Sequence, residues 1–215
     1  MSAREEILRA LQAEPSRVFV RTQEHNDAKE ALDAAAAALL MGAERPVVVA
    51  DAIEAAFAER LAQPSVAASL AAVSTIADVP AAVAAYCAEH GLPLSLCMPS
   101  DPRLATGDWS AFARHETAAP DEPIALAIAE CGVAETGSLV MRTGRHTPML
   151  PNFLALHHVV VVPRLVAYLE EAVLPGPAPR ADYWITGVSG TTDIEGTYVR
   201  GAHGPRFLHV IRVTG

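Results

Sequence analysis

The 215-residue chain has only three cysteines, Cys87, Cys97 and Cys131, widely spaced and with no C-x-x-C pair. Such cysteines supply neither a disulfide framework nor an iron-sulfur or zinc cluster. Basic clusters are missing too: the formal charge is -9 and the sequence pI near 5.3. That balance argues against a nucleic-acid surface or an anionic membrane as partner and leaves a protein or a small molecule. Long apolar runs are absent. The longest, residues 31–41, is short and carries Asp33, and the opening Met-Ser-Ala-Arg-Glu-Glu has neither the basic nor the apolar region of a signal peptide. The chain reads as cytoplasmic, without membrane insertion. No G-x-x-x-x-G-K-[ST] loop occurs, no G-x-G-x-x-G follows a strand, and Gly187-Val-Ser-Gly-Thr191 misses G-x-S-x-G at its last position. These gaps argue against an NTPase, a dinucleotide dehydrogenase of the usual type and an α/β-hydrolase. The eight histidines form no H-E-x-x-H or His/Cys box, so no metal site is expected; His157-His158 reads as a strand-edge pair.

What is present is apolar and periodic. At 51% hydrophobic residues the chain can build one sizeable core with a small appendage. Helices are expected at 4–13 and 25–41, the second ended by Gly42 and Pro46. A strand at 47–50, a helix at 51–62 and a strand at 66–69 follow, then a helix at 79–90 capped by Asp78 and a strand at 94–98. Short apolar runs between helices point to a mostly parallel sheet covered on both faces. Further strands are expected at 123–130, 138–142, 157–162, 182–188 and 208–213, with a helix at 164–173 and a stiff loop at 174–179. Residues 103–117 show no readable pattern.

Open α/β sheets bind ligands outside the carboxyl ends of their strands, which directs attention to two segments. In Glu130-Cys-Gly-Val-Ala-Glu-Thr-Gly-Ser138, Glu135 is a candidate base or nucleophile beside the N–H groups and hydroxyls of Thr136, Gly137 and Ser138. The alternative is a turn in which Glu135 accepts backbone hydrogen bonds and Gly137 supplies a permissive angle. In the second segment Ser189, Thr191 and Asp193 are candidates for an anion cradle at a helix start, while Thr192-Asp-Ile-Glu195 matches a capping box. Downstream, His203 is a candidate proton shuttle and Arg206 a carboxylate clamp, within a turn that Gly204-Pro205 would suffice to make.

Taken in order, the blocks 130–140, 157–163, 185–189, 192–195 and 201–209 resemble the LUD domain of the LutC/YkgG lactate-utilization family. The resemblance implies a three-layer α/β/α fold of the NagB/RpiA/CoA-transferase type over residues 45–215, with residues 1–44 as an N-terminal helical extension. It further implies a non-redox subunit of a system that oxidises L-lactate to pyruvate, binding a small hydroxycarboxylate or organising its partners. No cofactor is expected in this chain; iron-sulfur clusters are expected in cysteine-rich partner subunits. By analogy of fold alone, Glu135 compares with the catalytic carboxylates of that superfamily. The other reading is a stand-alone enzyme on a small carboxylate, phosphate or CoA thioester that uses Glu135.

Overall fold

Continuous apolar runs can be buried on both faces, and the central strands of a six-stranded parallel sheet are buried in that way. The computed structural model describes residues 29–35, 47–172, 176, 179–193 and 195–215. The chain divides into two compact units, Met1–Pro46 and Val47–Gly215. In the first, residues 29–35 are helical and exposed; the rest of the helix expected at 25–41, and the one at 4–13, lie outside the described residues. Among the described residues no helix is long and apolar enough to cross a membrane.

In the second unit the main sheet has the order β1 (Ala68–Val73), β12 (Phe207–Val213), β7 (His157–Val162), β4 (Ile124–Ile128), β2 (Ser95–Cys97), β3 (Ala113–His115). All five pairings are parallel. The central strands β4 and β7 are buried along their whole length. One face is covered by α2 (Val79–Glu89), which starts at Pro80 in its first turn and buries Val79, Val83, Tyr86 and Cys87. The other face packs on α1 (Ile53–Ala62), through Phe57 and Leu61, and on a second sheet. That sheet has the order β8 (Leu165–Val166), β5 (Cys131–Val133), β6 (Ser138–Arg142), β9 (Asp182–Ile185). Gly132 makes the layer possible, because a Cβ there would lie 2.7 Å from Phe57 Cζ and 2.8 Å from Leu165 Cδ2. The α/β architecture with a mostly parallel central sheet is as expected, and the second covering layer is shared between a helix and this small sheet. A hairpin of β10 (Gly190–Thr192) and β11 (Tyr198–Arg200) and a short α3 (Pro151–Leu154) complete the unit.

Several local expectations are overturned. Residues 47–49 are irregular rather than a strand, and Val48 N–H donates to the Tyr168 hydroxyl at 3.2 Å. Asp78 stands before α2 but does not cap it: its carboxylate accepts from Thr75 N–H at 2.9 Å and closes the preceding 3-10 turn, Ile76–Asp78. The helix expected at 164–173 is β8 followed by a 3-10 turn, Leu169–Glu171, because Arg164 C=O accepts from Gly132 N–H and draws this segment beside β5. The stiff loop at 174–179 lies mostly outside the described residues. Thr192 and Glu195 form no helix cap; Asp193 turns the chain between β10 and β11 instead, its Oδ1 accepting from Glu195 N–H at 2.9 Å and Thr197 N–H at 2.8 Å.

Candidate functional site

The Glu135 turn joins β5 to β6 and is satisfied from within. Gly137 has φ +72° and donates to Val133 C=O at 2.8 Å, and its missing side chain faces Arg60 Cβ of α1 at 3.2 Å. Glu135 Oε1 accepts from Leu169 N–H at 2.9 Å. Thr136 Oγ1 donates to Ser138 Oγ at 2.7 Å, and Ser138 Oγ shares a 2.6 Å bond with Thr186 Oγ1. Here Gly137 and Glu135 take the geometry of the turn reading.

Ser189 and residues 201–206 are brought together by the backbone. Ser189 N–H donates to Pro205 C=O and its own C=O accepts from Gly201 N–H, both at 2.8 Å. Ser189 Oγ lies 3.0 Å from where a Gly204 Cβ would stand. His203 and Arg206 are exposed, Thr191 lies in β10 and Asp193 in its turn. With a hairpin where a helix was expected, the helix-start cradle proposed for Ser189, Thr191 and Asp193 has no basis. Arg206 precedes β12, whose Phe207 is in register with His157, the first residue of β7. This is the amino edge of the main sheet.

At that edge lies a ring cluster that the sequence did not reveal. Tyr86 OH is 2.9 Å from His157 Nδ1, and Ser69 Oγ is 2.7 Å from His209 Nδ1. Tyr86 stacks on His209 at 4.3 Å, and His157 stacks on Phe207 at 4.4 Å. His90 lies 4.3 Å from Tyr86 and 5.4 Å from His157. Arg206, exposed, holds its guanidinium carbon 5.8 Å from the Phe207 ring centre. Ser69, Tyr86, His90, Phe207 and His209 line a cleft of about 450 Å³. Burial, reinforced by His90, pushes His209 down to about 4 and lowers His157, so both imidazoles are neutral at pH 7. Burial, with Cys87 and Glu89 beside it, pushes Tyr86 up to about 12. The cluster therefore offers neutral proton acceptors, a phenol that keeps its proton and a neighbouring permanent cation. Its members stand at positions 69, 86, 90, 157 and 209, so no spacing pattern connects them; His157, the first residue of a buried strand, was the single visible signal.

The carboxyl edge, where a ligand was expected, holds an ion network. Arg103 Nη2 reaches Asp101 Oδ2 at 2.7 Å while Nη1 reaches Glu130 Oε1 at 2.9 Å, tying the chain beyond β2 to the residue that follows β4. The guanidinium thereby has a carboxylate on each side, which suits it to fastening two loops.

The fold defines the protein first as an α/β domain built on a mostly parallel central sheet. Residues 121–213 match the LUD domain family model. Lactate utilization protein C of Geobacillus thermodenitrificans (strain NG80-2) is 27% identical over 147 residues, a match covering 54% of this chain and 61% of that protein. The match thus spans about three fifths of the relative's length. A crystal structure of a DUF162 family protein from Deinococcus radiodurans shares the fold, with a TM-score of 0.54 at 18% identity, covering 79% of this chain and all of that one. The resemblance to the LUD family read from blocks 130–209 is borne out.

Proposed function

We propose that this protein serves lactate utilization as a non-redox component that holds a small hydroxycarboxylate at the amino-edge cleft. The observation that carries the reading is the pair of neutral histidines, His157 and His209, at the edge where the Arg206 guanidinium lies over the Phe207 ring, in a chain that matches the LUD domain family model and is similar to a lactate utilization protein. Oxidising a hydroxy acid to a keto acid removes two electrons and two protons. One neutral imidazole can take the hydroxyl proton and the other the proton from the carbon that bears it as the two electrons leave, while Arg206 can pair with the carboxylate. The electrons are assigned to iron-sulfur subunits of the same system, with this chain as their non-redox partner. His203 and Ser189, on the segment that leads to Arg206, would shape the rim.

Two measurements test this. The tagged protein is recovered from its host grown on L-lactate, and the eluate is assayed for visible absorbance and L-lactate-dependent dye reduction. Brown partners with lactate-dependent reduction support the subunit reading; a colourless protein that turns over lactate, a thioester or a phosphate ester alone moves the assignment to a stand-alone enzyme. In parallel, L-lactate at about 100 times its Kd is expected to stabilise the isolated protein by about 2.7 kcal/mol, and Arg206→Ala to remove most of that gain. If Arg206→Ala keeps the whole stabilisation, the carboxylate is bound elsewhere. Glu135→Gln retains an acceptor for Leu169 N–H, so it is expected to leave stability within about 1 kcal/mol of wild type. Loss of turnover in a Glu135→Gln protein that still assembles would make Glu135 the reacting carboxylate.

A further inference from the structure

Away from the ring cluster, three adjacent strands of the main sheet deliver a thiol, an imidazole and a carboxylate to one point. Cys97 ends β2, His115 ends β3, and Glu122 lies two residues before β4. One ligand atom from each, Cys97 Sγ, a His115 ring nitrogen and a Glu122 oxygen, lies within 4.8 Å of the other two. We propose that Cys97, His115 and Glu122 form a binding site for a divalent transition-metal ion, zinc above all, with a fourth position open to solvent beside His115.

The donor set points to that class of ion. Sulfur and imidazole ligands select against magnesium and calcium, which take oxygen, while one Cys, one His and one carboxylate with an open fourth position suit tetrahedral zinc. Burial supplies a second reason. Glu122 is 2% exposed and Cys97 fully buried, whereas the His115 side chain is 37% exposed. A carboxylate so deeply placed needs cationic or hydrogen-bonded company. Glu122 Oε2 receives Ala119 N–H at 3.1 Å and lies 2.9 Å from His115 Nε2. The ion would enter past His115 by opening that bond and displacing the proton of the Cys97 thiol, a proton that burial and then Glu122 otherwise hold up to a pKa of about 11. There is also a structural benefit. Strands β2 and β3 have three residues each, and β2 is in register with β4 only at Cys97 and Ala125. A metal would cross-link all three strands. The inference is independent of the lactate reading.

The test uses the full chain, stripped with a chelator and titrated with Co²⁺ and then Zn²⁺. The expected result is one cobalt per chain, a thiolate-to-cobalt charge-transfer band in the near ultraviolet, visible bands of tetrahedral intensity, and loss of both on adding zinc. Zinc should raise the melting temperature in proportion to the logarithm of its concentration. Cys97→Ser should abolish the charge-transfer band and Cys87→Ala should keep it. Because His115 is partly exposed, His115→Ala should fold and bind at least about 100-fold more weakly, beyond the loss typical of a supporting contact. Absence of a stoichiometric band in the wild type, its survival in Cys97→Ser, or unchanged affinity in folded His115→Ala would overturn the proposal.

Discussion

At the scale of single residues, the tightest constraint is Gly187. Its φ is +88°, and a Cβ there would lie 2.6 Å from Val66 O and 2.7 Å from Val66 Cα, both backbone atoms that cannot swing aside. Gly187→Ala is therefore expected to cost about 3 kcal/mol or more, strain and overpacking acting together, as read from the shift of a urea unfolding midpoint. What approaches Gly187 so closely is the protein's own chain. Glu135 and Gly137 carry the same lesson. Glycines and hydroxyls after a central strand mark a place where something comes close to the backbone, but the sequence cannot distinguish a substrate from α1 and Leu169.

Among the elements, β6 and β7 appear where their apolar runs begin and end, because buried strands leave no room for a register slip. The misread segments were those in which two local solutions use the same residues. Thr192-Asp-Ile-Glu195 satisfies a helix cap by pattern, yet Asp193 takes Glu195 N–H, the donor Thr192 would cap, together with Thr197 N–H in a turn, and the following Gly196, at φ +82°, with Tyr198 and Val199 favours a hairpin. Tyr198 also fills the space above Gly190, which a side chain there would occupy. Asp193→Ala is expected to destabilise by about 1 kcal/mol and to loosen the hairpin first. Hydrogen exchange should lose protection at residues 190–200 while β4 and β7 amides stay unchanged; equal losses in both would mean that the hairpin unfolds only with the core. The stretch 103–117 was unreadable because its order comes from long-range ties, such as Arg103 to Glu130 and the pairing of Ala113 with Ser95.

For the molecule as a whole, the buried histidines set the response to acid. Burial lowers His158 to about 3; its Nε2 lies 3.1 Å from Asn152 Oδ1 and its Nδ1 is buried without a hydrogen bond. His209 is lowered to about 4. Both values lie below the ordinary 6.5, so the unfolded chain binds more protons than the folded one between pH 6.5 and about 4. Their contribution is complete above pH 6.5 and drains away as the pH falls through that window, by about 3 kcal/mol for His209 alone. Urea unfolding at pH 7, 5.5 and 4.5 should show the decline, and His209→Gln should flatten it; an unchanged slope would mean that His209 does not couple to unfolding. The site was the part least legible in advance. Strand runs could be read one at a time, but the parallel register that gathers Ser69, Tyr86, His90, His157 and His209 is a property of the assembled sheet.

The strand order also governs how the chain can be made. Among the described residues β1 is the first strand synthesised and β12 the last, yet the two are neighbours, and β12 separates β1 from β7. Until β12 has left the ribosome, Ser69 and Leu70 have no strand to join and the helix α1 has only part of its floor. The main sheet can therefore close only once β12 has been made, and β1 stays unpaired through the synthesis of every strand between them.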